Sequence, residues 1–274
     1  ELANNYKLEL NKSMPEAYLN KSKKLLIESN IKKIKNNKYN YPETIFIVGM
    51  PRSGSTLLES ILSMNTNVKD LGEINIFEES FKKWEKDQKK LTLAELYFNE
   101  IIQRFKELKI TTNKWLYNYQ YVGIISNQIP SAKIIHCYRN PLDNILSIYR
   151  AHFTQGNSYA SSIKDCAKVY LDQEEVMDKY KKNYRFKIYD LNYDLLISDP
   201  KKEIKSLISW LNWKWSDSFL SPHLNPRKVL TASTVQVRYP INTKSLGGWK
   251  NYKEILRPAM KIITKNNKYQ NLIY

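Results

Sequence analysis

The sequence predicts an α/β fold, a mainly parallel sheet flanked by helices in a single domain, on three observations. Short, apolar, β-branched runs alternate with stretches whose apolar residues recur every three or four positions. Glycine or proline punctuates the ends of these segments. No internal repeat or Gly/Ser-rich linker divides the 274 residues, a length that suits one full core. Strands alternating with helices imply right-handed crossovers and parallel pairing, and ligands then bind beyond the carboxyl ends of the strands.

Residues 1–40 are polar and rich in Lys and Asn, with Leu25, Leu26, Ile31 and Ile34 spaced for one or two helices. They are expected to form an N-terminal helical extension to a main domain at 41–274. Thr44–Val48, between Pro42 and Gly49, fits a buried central strand. Leu57, Leu58, Ile61 and Leu62 then share one helical face within Thr56–Met64. Ala94, Tyr97, Ile101, Phe105 and Leu108 mark a long amphipathic helix. A second strand is expected at Lys133–Tyr138, followed by a helix that Pro141 opens and that buries Leu142, Ile145, Leu146 and Tyr149. A third strand is expected at Phe186–Tyr189. Asp199 and Pro200 supply the cap and first turn of a helix with Ile204, Leu207, Ile208 and Leu211 inward.

The 44 Lys and Arg outnumber 27 acidic residues, for a formal charge of +17, and favour an anionic partner without choosing among nucleotide, nucleic acid, acidic peptide and membrane surface. Part of this charge is Lys/Asn-biased composition, as in Ile31–Asn40. Cys137 and Cys166 have neither the spacing of a zinc site nor the number for a disulfide framework. His136 lies inside an apolar run and reads as a packed core histidine. No apolar stretch has the length of a membrane span and no signal peptide opens the chain, so a soluble protein is expected. The chain starts at Glu1 rather than Met, which leaves room for an upstream domain or anchor.

Gly49-Met50-Pro51-Arg52-Ser53-Gly54-Ser55-Thr56 has the GxxxxG spacing of a phosphate-binding loop followed by Ser/Thr, but Ser55 stands where a Walker A loop needs lysine. The two glycines let the backbone curl so that N–H groups and the positive end of the helix face one anion. The missing lysine argues against chemistry at the β and γ phosphates of a nucleoside triphosphate, and Arg52 offers a planar fork suited to a tetrahedral anion.

The segment IFIVGMPRSGSTLLESIL resembles the 5′-phosphosulfate loop of sulfotransferases that use PAPS (3′-phosphoadenosine 5′-phosphosulfate). It is most similar to the bacterial enzymes often fused to tetratricopeptide repeats and to tyrosylprotein sulfotransferases. LGE at 71–73, NK at 113–114, KIIHCYRNPLDNILSIY at 133–149, YDLLISDP at 193–200 and STVQVRYPIN at 233–242 follow in order, so the resemblance covers roughly residues 44 to 260. It implies a P-loop-like sulfotransferase domain with PAPS as cosubstrate, PAP as product and no metal.

The resemblance also implies site residues. Arg52, Ser53, Gly54, Ser55 and Thr56 would hold the phosphosulfate. Arg139 and Ser147, eight residues apart across a strand end and a helix start, can converge on one phosphate, in the family the donor's 3′-phosphate. Tyr193 would lie near the nucleotide, with Ser233, Thr234, Gln236, Lys244, Trp249 and Lys250 in the closing loop and C-terminal motif. Trp249 reads more readily as a core residue than as a stacking platform. Glu73 matches the glutamate proposed as general base in tyrosylprotein sulfotransferases, and Lys114 and Ser233, with Arg52, match groups that stabilise the departing oxygen. Gly248 stands where relatives carry a basic residue, a charge that Lys244 or Lys250 would replace. Arg150 is one place off from an arginine that some relatives direct at the 3′-phosphate. Secretory relatives carry cysteines where this chain has Leu71 and Thr112, so a reducing, cytoplasmic location is expected. The partners implied are the nucleotide donor and an acceptor hydroxyl, on peptide tyrosine or a small molecule, with an upstream tetratricopeptide or other domain compatible with the pattern. Two other functions stay open on the residues alone: a P-loop small-molecule kinase, disfavoured by Ser55, and a basic nucleic-acid-binding module, for which the twenty tyrosines and the charge are compatible but no motif is visible.

Overall fold

In the computed structural model, residues 1–29, 41–86, 91–105, 108–151, 153, 156–227 and 236–272 are described. Ile31 and Ile34 lie outside them. In chain order the elements are α1 (Leu2–Leu10), α2 (Glu16–Glu28), β1 (Glu43–Gly49), α3 (Ser55–Leu62), β2 (Val68–Asp70), α4 (Ile76–Lys86), α5 (Leu93–Arg104), β3 (Ile110–Asn113), α6 (Val122–Gln128), β4 (Ala132–Tyr138), α7 (Pro141–Arg150), α8 (Ile163–Tyr184), β5 (Ile188–Asn192), α9 (Tyr193–Ser198), α10 (Pro200–Trp210) and α11 (Lys253–Ile263).

The five strands form one parallel sheet in the order β2-β3-β1-β4-β5. β1 is central because both its faces are apolar: Phe46 and Val48 enter one core with Phe77, Tyr97, Tyr121 and Met177, while Ile45 and Ile47 enter another with Leu58, Ile61, Leu191 and Ile208. The period-2 alternation of a strand thus feeds two helical layers. A third apolar cluster lies among α7, α8 and α11. The chain leaves β1 toward β2 and β3 on one side and later toward β4 and β5 on the other, so the switch point of the sheet falls at the carboxyl end of β1.

The α/β expectation holds, with differences at several elements. β2 and β3 are short and read Val-Lys-Asp and Ile-Thr-Thr-Asn, too polar to give an apolar run, yet they complete the sheet. The third expected strand begins at Ile188, where pairing with β4 starts (Ile134↔Ile188), and Phe186 is exposed in a 3-10 turn. α5 ends at Arg104 after opening with a Thr92–Glu95 capping box. α8 follows an Ser162 cap and buries Cys166, Val169, Tyr170, Gln173, Val176, Met177 and Tyr180. Val169, Tyr170, Val176, Met177 and Tyr180 carry the three- and four-residue spacing of this helix in the sequence. His136 is fully buried between Asp190 (Nδ1 to Oδ1, 3.1 Å) and Gln173 (Nε2, 2.7 Å). Both cysteines are buried and free. α2 places Leu25 in the main core and packs on α8. Among the described residues no helix is long and apolar enough to cross a membrane.

Candidate active site

The loop after β1 turns sharply. Gly49 has φ +140°, and a Cβ there would overlap the carbonyl of Cys137; Gly54 has φ +93°, and a Cβ there would overlap the ring of Tyr193. Gly54 also caps α3 without any side-chain acceptor, so the first N–H groups of that helix face the loop's concavity, as in anion sites at helix starts. Arg52 takes a left-handed backbone at φ +66°, a conformation that costs about 1 kcal/mol or more in a non-glycine residue. Asn144 of α7 donates to the Pro51 carbonyl at 2.9 Å and fixes the loop from below.

Arg52 donates from Nε to Ser147 Oγ (3.1 Å) and from Nη2 to Gln236 Oε1 (3.0 Å). Burial and then the charge of Arg139 push the Arg52 guanidinium below its ordinary range, though arginine stays charged at any working pH. Arg139 follows β4 and is held by carbonyls, Ser245 O at 2.8 Å and Arg52 O at 3.4 Å, with the Tyr193 ring 4.8 Å beneath it. Tyr193 Oη in turn meets Ser245 Oγ at 2.9 Å. Two carboxylates stand 4.0 Å from Arg139: both oxygens of Asp143 accept main-chain N–H groups, from Gly247 and Trp249, whereas Asp194 accepts from Asn140 N through Oδ2 only, and its Oδ1, which faces Arg139 Nε, is buried with no hydrogen-bond partner among the described residues. Ser53 Oγ and Arg139 Nε are buried and have no hydrogen-bond partner among the described residues, an arrangement that fits an anion supplied from outside. Arg52, Arg139, Ser147, Arg150, Gln236 and Lys244 line a cavity of about 420 Å³ together with Ser245 and Gly248, within the roughly 300–1,000 Å³ of small-ligand sites.

A second group lies past the ends of β2 and β3. The ladder between these strands runs on through Leu71 N to Thr112 O (2.9 Å) and Lys114 N to Gly72 O (3.0 Å), and so sets Glu73 beside Lys114. The Lys114 side chain is fully buried, and Nζ meets Glu73 Oε1 at 2.5 Å; the Glu73 side chain is 45% exposed. Glu59 of α3 approaches Lys114 from behind at 3.9 Å and is 2% exposed. Arg227 reaches Glu59 Oε2 (3.1 Å), Asp70 Oδ2 (2.5 Å) and Ser60 Oγ (3.2 Å). Burial pushes the Glu59 carboxyl above its ordinary range, against the pull of Lys114 and Arg227.

Of the residues singled out by sequence, Arg52, Arg139, Ser147, Tyr193, Gln236 and Lys244 come together at one end, and Glu73 and Lys114 at the other. Ser53, Ser55 and Thr56 are buried along the loop and helix start. Ser233 and Thr234 lie outside the described residues. Trp249 is packed in the cluster with α7, α8 and α11 at 6% exposure, the core alternative, because Asp143 draws its main-chain N–H inward. Lys250 is exposed and does not line the cavity. Arg150 does line it, so together with Lys244 it supplies cationic coverage beside Gly248. Glu59, Asp70, Asp143 and Arg227 escaped the sequence reading. A glutamate on the apolar face of the loop helix, between Leu58 and Ile61, was the one signal that could have found Glu59.

A family model described as "Sulfotransferase family" matches residues 42–105 and 90–217. An uncharacterised protein of Aquifex aeolicus (strain VF5) is 29% identical over 261 residues, 87% of this chain and 34% of its own length. Protein-tyrosine sulfotransferase 1 of Danio rerio is 24% identical over 230 residues, 75% of this chain and 65% of its own. The chain therefore spans about a third of one relative and somewhat under two thirds of the other. Among solved structures, the sulfotransferase domain from the Synechococcus PCC 7002 olefin synthase superposes with a TM-score of 0.60 at 17% identity, covering 80% of this chain and 91% of that one. Mouse sulfotransferase SULT7A1, complexed with PAP, superposes with a TM-score of 0.50 at 15% identity, covering 88% and 90%. These two likenesses concern the fold.

Proposed function

Because the chain belongs to the sulfotransferase family, we propose that it moves a sulfuryl group from PAPS to an acceptor hydroxyl, on peptide tyrosine or a small molecule, by in-line transfer with Glu73 as general base. The observation that carries this is the arginine cavity beyond the carboxyl ends of β1 and β4, where Arg52, Arg139 and Ser147 converge. Such a site recognises a nucleotide bearing two separated anionic groups. In this function the amides of the loop and Arg52 take the phosphosulfate, and Arg139, Ser147 and Arg150 take the 3′-phosphate, with Tyr193 packed against the arginine. No step calls for a metal.

Sulfuryl transfer needs the acceptor oxygen in line with the breaking S–O bond, a base for the acceptor's proton and cations at the departing oxygen. Glu73 is the half-exposed carboxylate at the site, open to an incoming hydroxyl. Lys114 and Arg52 supply the cations, and Ser233 is assigned to the same oxygen on the strength of the motif. Residues 41–274 form the transferase unit in this proposal, and the location is cytoplasmic.

Transfer of labelled sulfate from PAPS to a panel of tyrosine peptides and small hydroxyl compounds tests this. Glu73→Gln is expected to abolish turnover and leave PAP binding intact by calorimetry. A fully active Glu73→Gln variant removes the base, and a folded protein that binds neither PAP nor PAPS removes the function.

A further inference from the structure

We propose that Glu59 is a positioning residue for sulfuryl transfer: its buried carboxylate anchors the Lys114 ammonium from behind, so that the cation stays in place when Glu73 ceases to be its counter-ion. The inference rests on the function proposed above. Its basis is the difference between the two carboxylates that flank one lysine.

A fully buried ammonium is tolerated only when it is paired. Lys114 has two partners: Glu73 is close and half exposed, whereas Glu59 is 3.9 Å away and buried. Only Glu73 can meet an acceptor. In the reaction the acceptor's O–H bond breaks and its proton passes to Glu73. The electron pair of the acceptor oxygen forms the new O–S bond, while the S–O bond to the donor's phosphate breaks and its pair leaves on PAP. At that moment Glu73 becomes neutral, and Lys114 must turn toward the departing oxygen. Glu59 cannot follow the reaction. Its Oε1 accepts from Thr112 Oγ1 (3.4 Å) and its Oε2 from Arg227 Nη1 (3.1 Å), so it is fixed in place on α3, the helix that also carries the donor loop, and Lys114 and Arg227 favour its charged form against the burial that opposes it.

The charges of the cluster agree. Lys114 and Arg227 face Glu59, Glu73 and Asp70, two cations against three carboxylates. One proton on Glu73 brings the set to balance. Without Glu59, Lys114 would be left after proton transfer with no anion among these groups in contact with it. Arg227 would retain Asp70. An ordinary structural site on the inner face of α3 would take an apolar side chain at less cost.

Glu59→Gln in the full chain, with Lys114→Met and the double variant, tests the proposal. Sulfate release is followed with the acceptor panel and also with water as acceptor, which needs no identified substrate. Glu59→Gln is expected to lower kcat about 10- to 100-fold, to leave the PAP dissociation constant within about twofold, and to add almost nothing once Lys114 is already Met. Wild-type kcat in Glu59→Gln, or an equal loss with and without Lys114, overturns it. If the Gln variant fails to fold, Glu59→Asp, which keeps the charge one methylene short, is read by the same cycle. Full activity of Lys114→Met, or an inactive Lys114→Met beside a normal Glu59→Gln, sinks the positioning role and leaves the transferase function standing, whereas a folded wild-type protein that neither binds PAP nor transfers sulfate sinks the underlying function.

Discussion

The two ends of the site solve opposite electrostatic problems. At the arginine end, guanidinium groups are held by neutral acceptors, the Ser147 hydroxyl, the Gln236 amide and the Ser245 carbonyl. The nearby acids stand no closer than 4.0 Å to Arg139, and Asp143 spends both oxygens, and Asp194 one, on main-chain N–H groups. No carboxylate makes a direct hydrogen bond to Arg139 among these contacts, which suits a site that receives an anion. At the lysine end every cation contacts a carboxylate, and the ammonium has no exposure at all. One end is built to receive anions, the other to let a proton and a cation shift within a balanced set. Affinity and rate should therefore separate by mutation.

Arg139→Ala gives the largest break. Removing a buried guanidinium that would pair with phosphate costs about 2–4 kcal/mol of binding, roughly 30- to 1,000-fold in the PAP dissociation constant. Glu73→Gln and Lys114→Met should leave that constant nearly unchanged. Calorimetric titration with PAP checks this, and wild-type affinity should itself fall as salt is raised. Equal losses of affinity at both ends would erase the distinction.

Gly54→Ala sharpens the point at the backbone. The position needs φ +93°, and the added methyl would enter the space of the Tyr193 ring, on which Arg139 rests. Strain and displacement together should cost about 1–3 kcal/mol, visible as a lower melting temperature and weaker PAP binding. An Ala variant with unchanged melting and PAP affinity would mean that the loop can widen freely and that the arginine end is not preorganised.

The arginine end was legible in the sequence because its residues follow strongly apolar strands: Gly49–Thr56 follows β1 and Arg139 follows β4, and glycine or proline marks each exit. The lysine end was legible only through family motifs at Glu73 and Lys114, since β2 and β3 carry no apolar run and no periodicity reveals that they pair. Glu59 was invisible for a different reason. A carboxylate on an inward helical face looks like a surface residue until the strand opposite brings a lysine to it. Trp249 shows the converse, an aromatic next to a ligand-like motif that the Asp143 bonds to Gly247 and Trp249 turn into core.

Asp172 offers the smallest and cleanest test, because it is a half-buried carboxylate with a different set of neighbours. It lies on α8 and accepts from Ser22 Oγ of α2 at 2.6 Å and from Tyr119 Oη at 3.4 Å, hydroxyls in place of the Lys114 and Arg227 that face Glu59. Burial pushes its carboxyl up from 3.8 to about 6. The folded value lies above the unfolded one, so folding favours the protonated acid. That contribution is complete below about pH 4 and is lost as pH rises through 6. Discounted for its partial exposure, the loss is about 1–2 kcal/mol. Asp172→Asn removes the titration, and its stability relative to the wild type should grow by that amount between pH 4 and pH 7 in urea unfolding, with kcat unchanged. Parallel curves for the two proteins across this range would show that hydroxyls alone carry the charged form, and the cations around Glu59 would then not be needed to explain why a carboxylate can sit there.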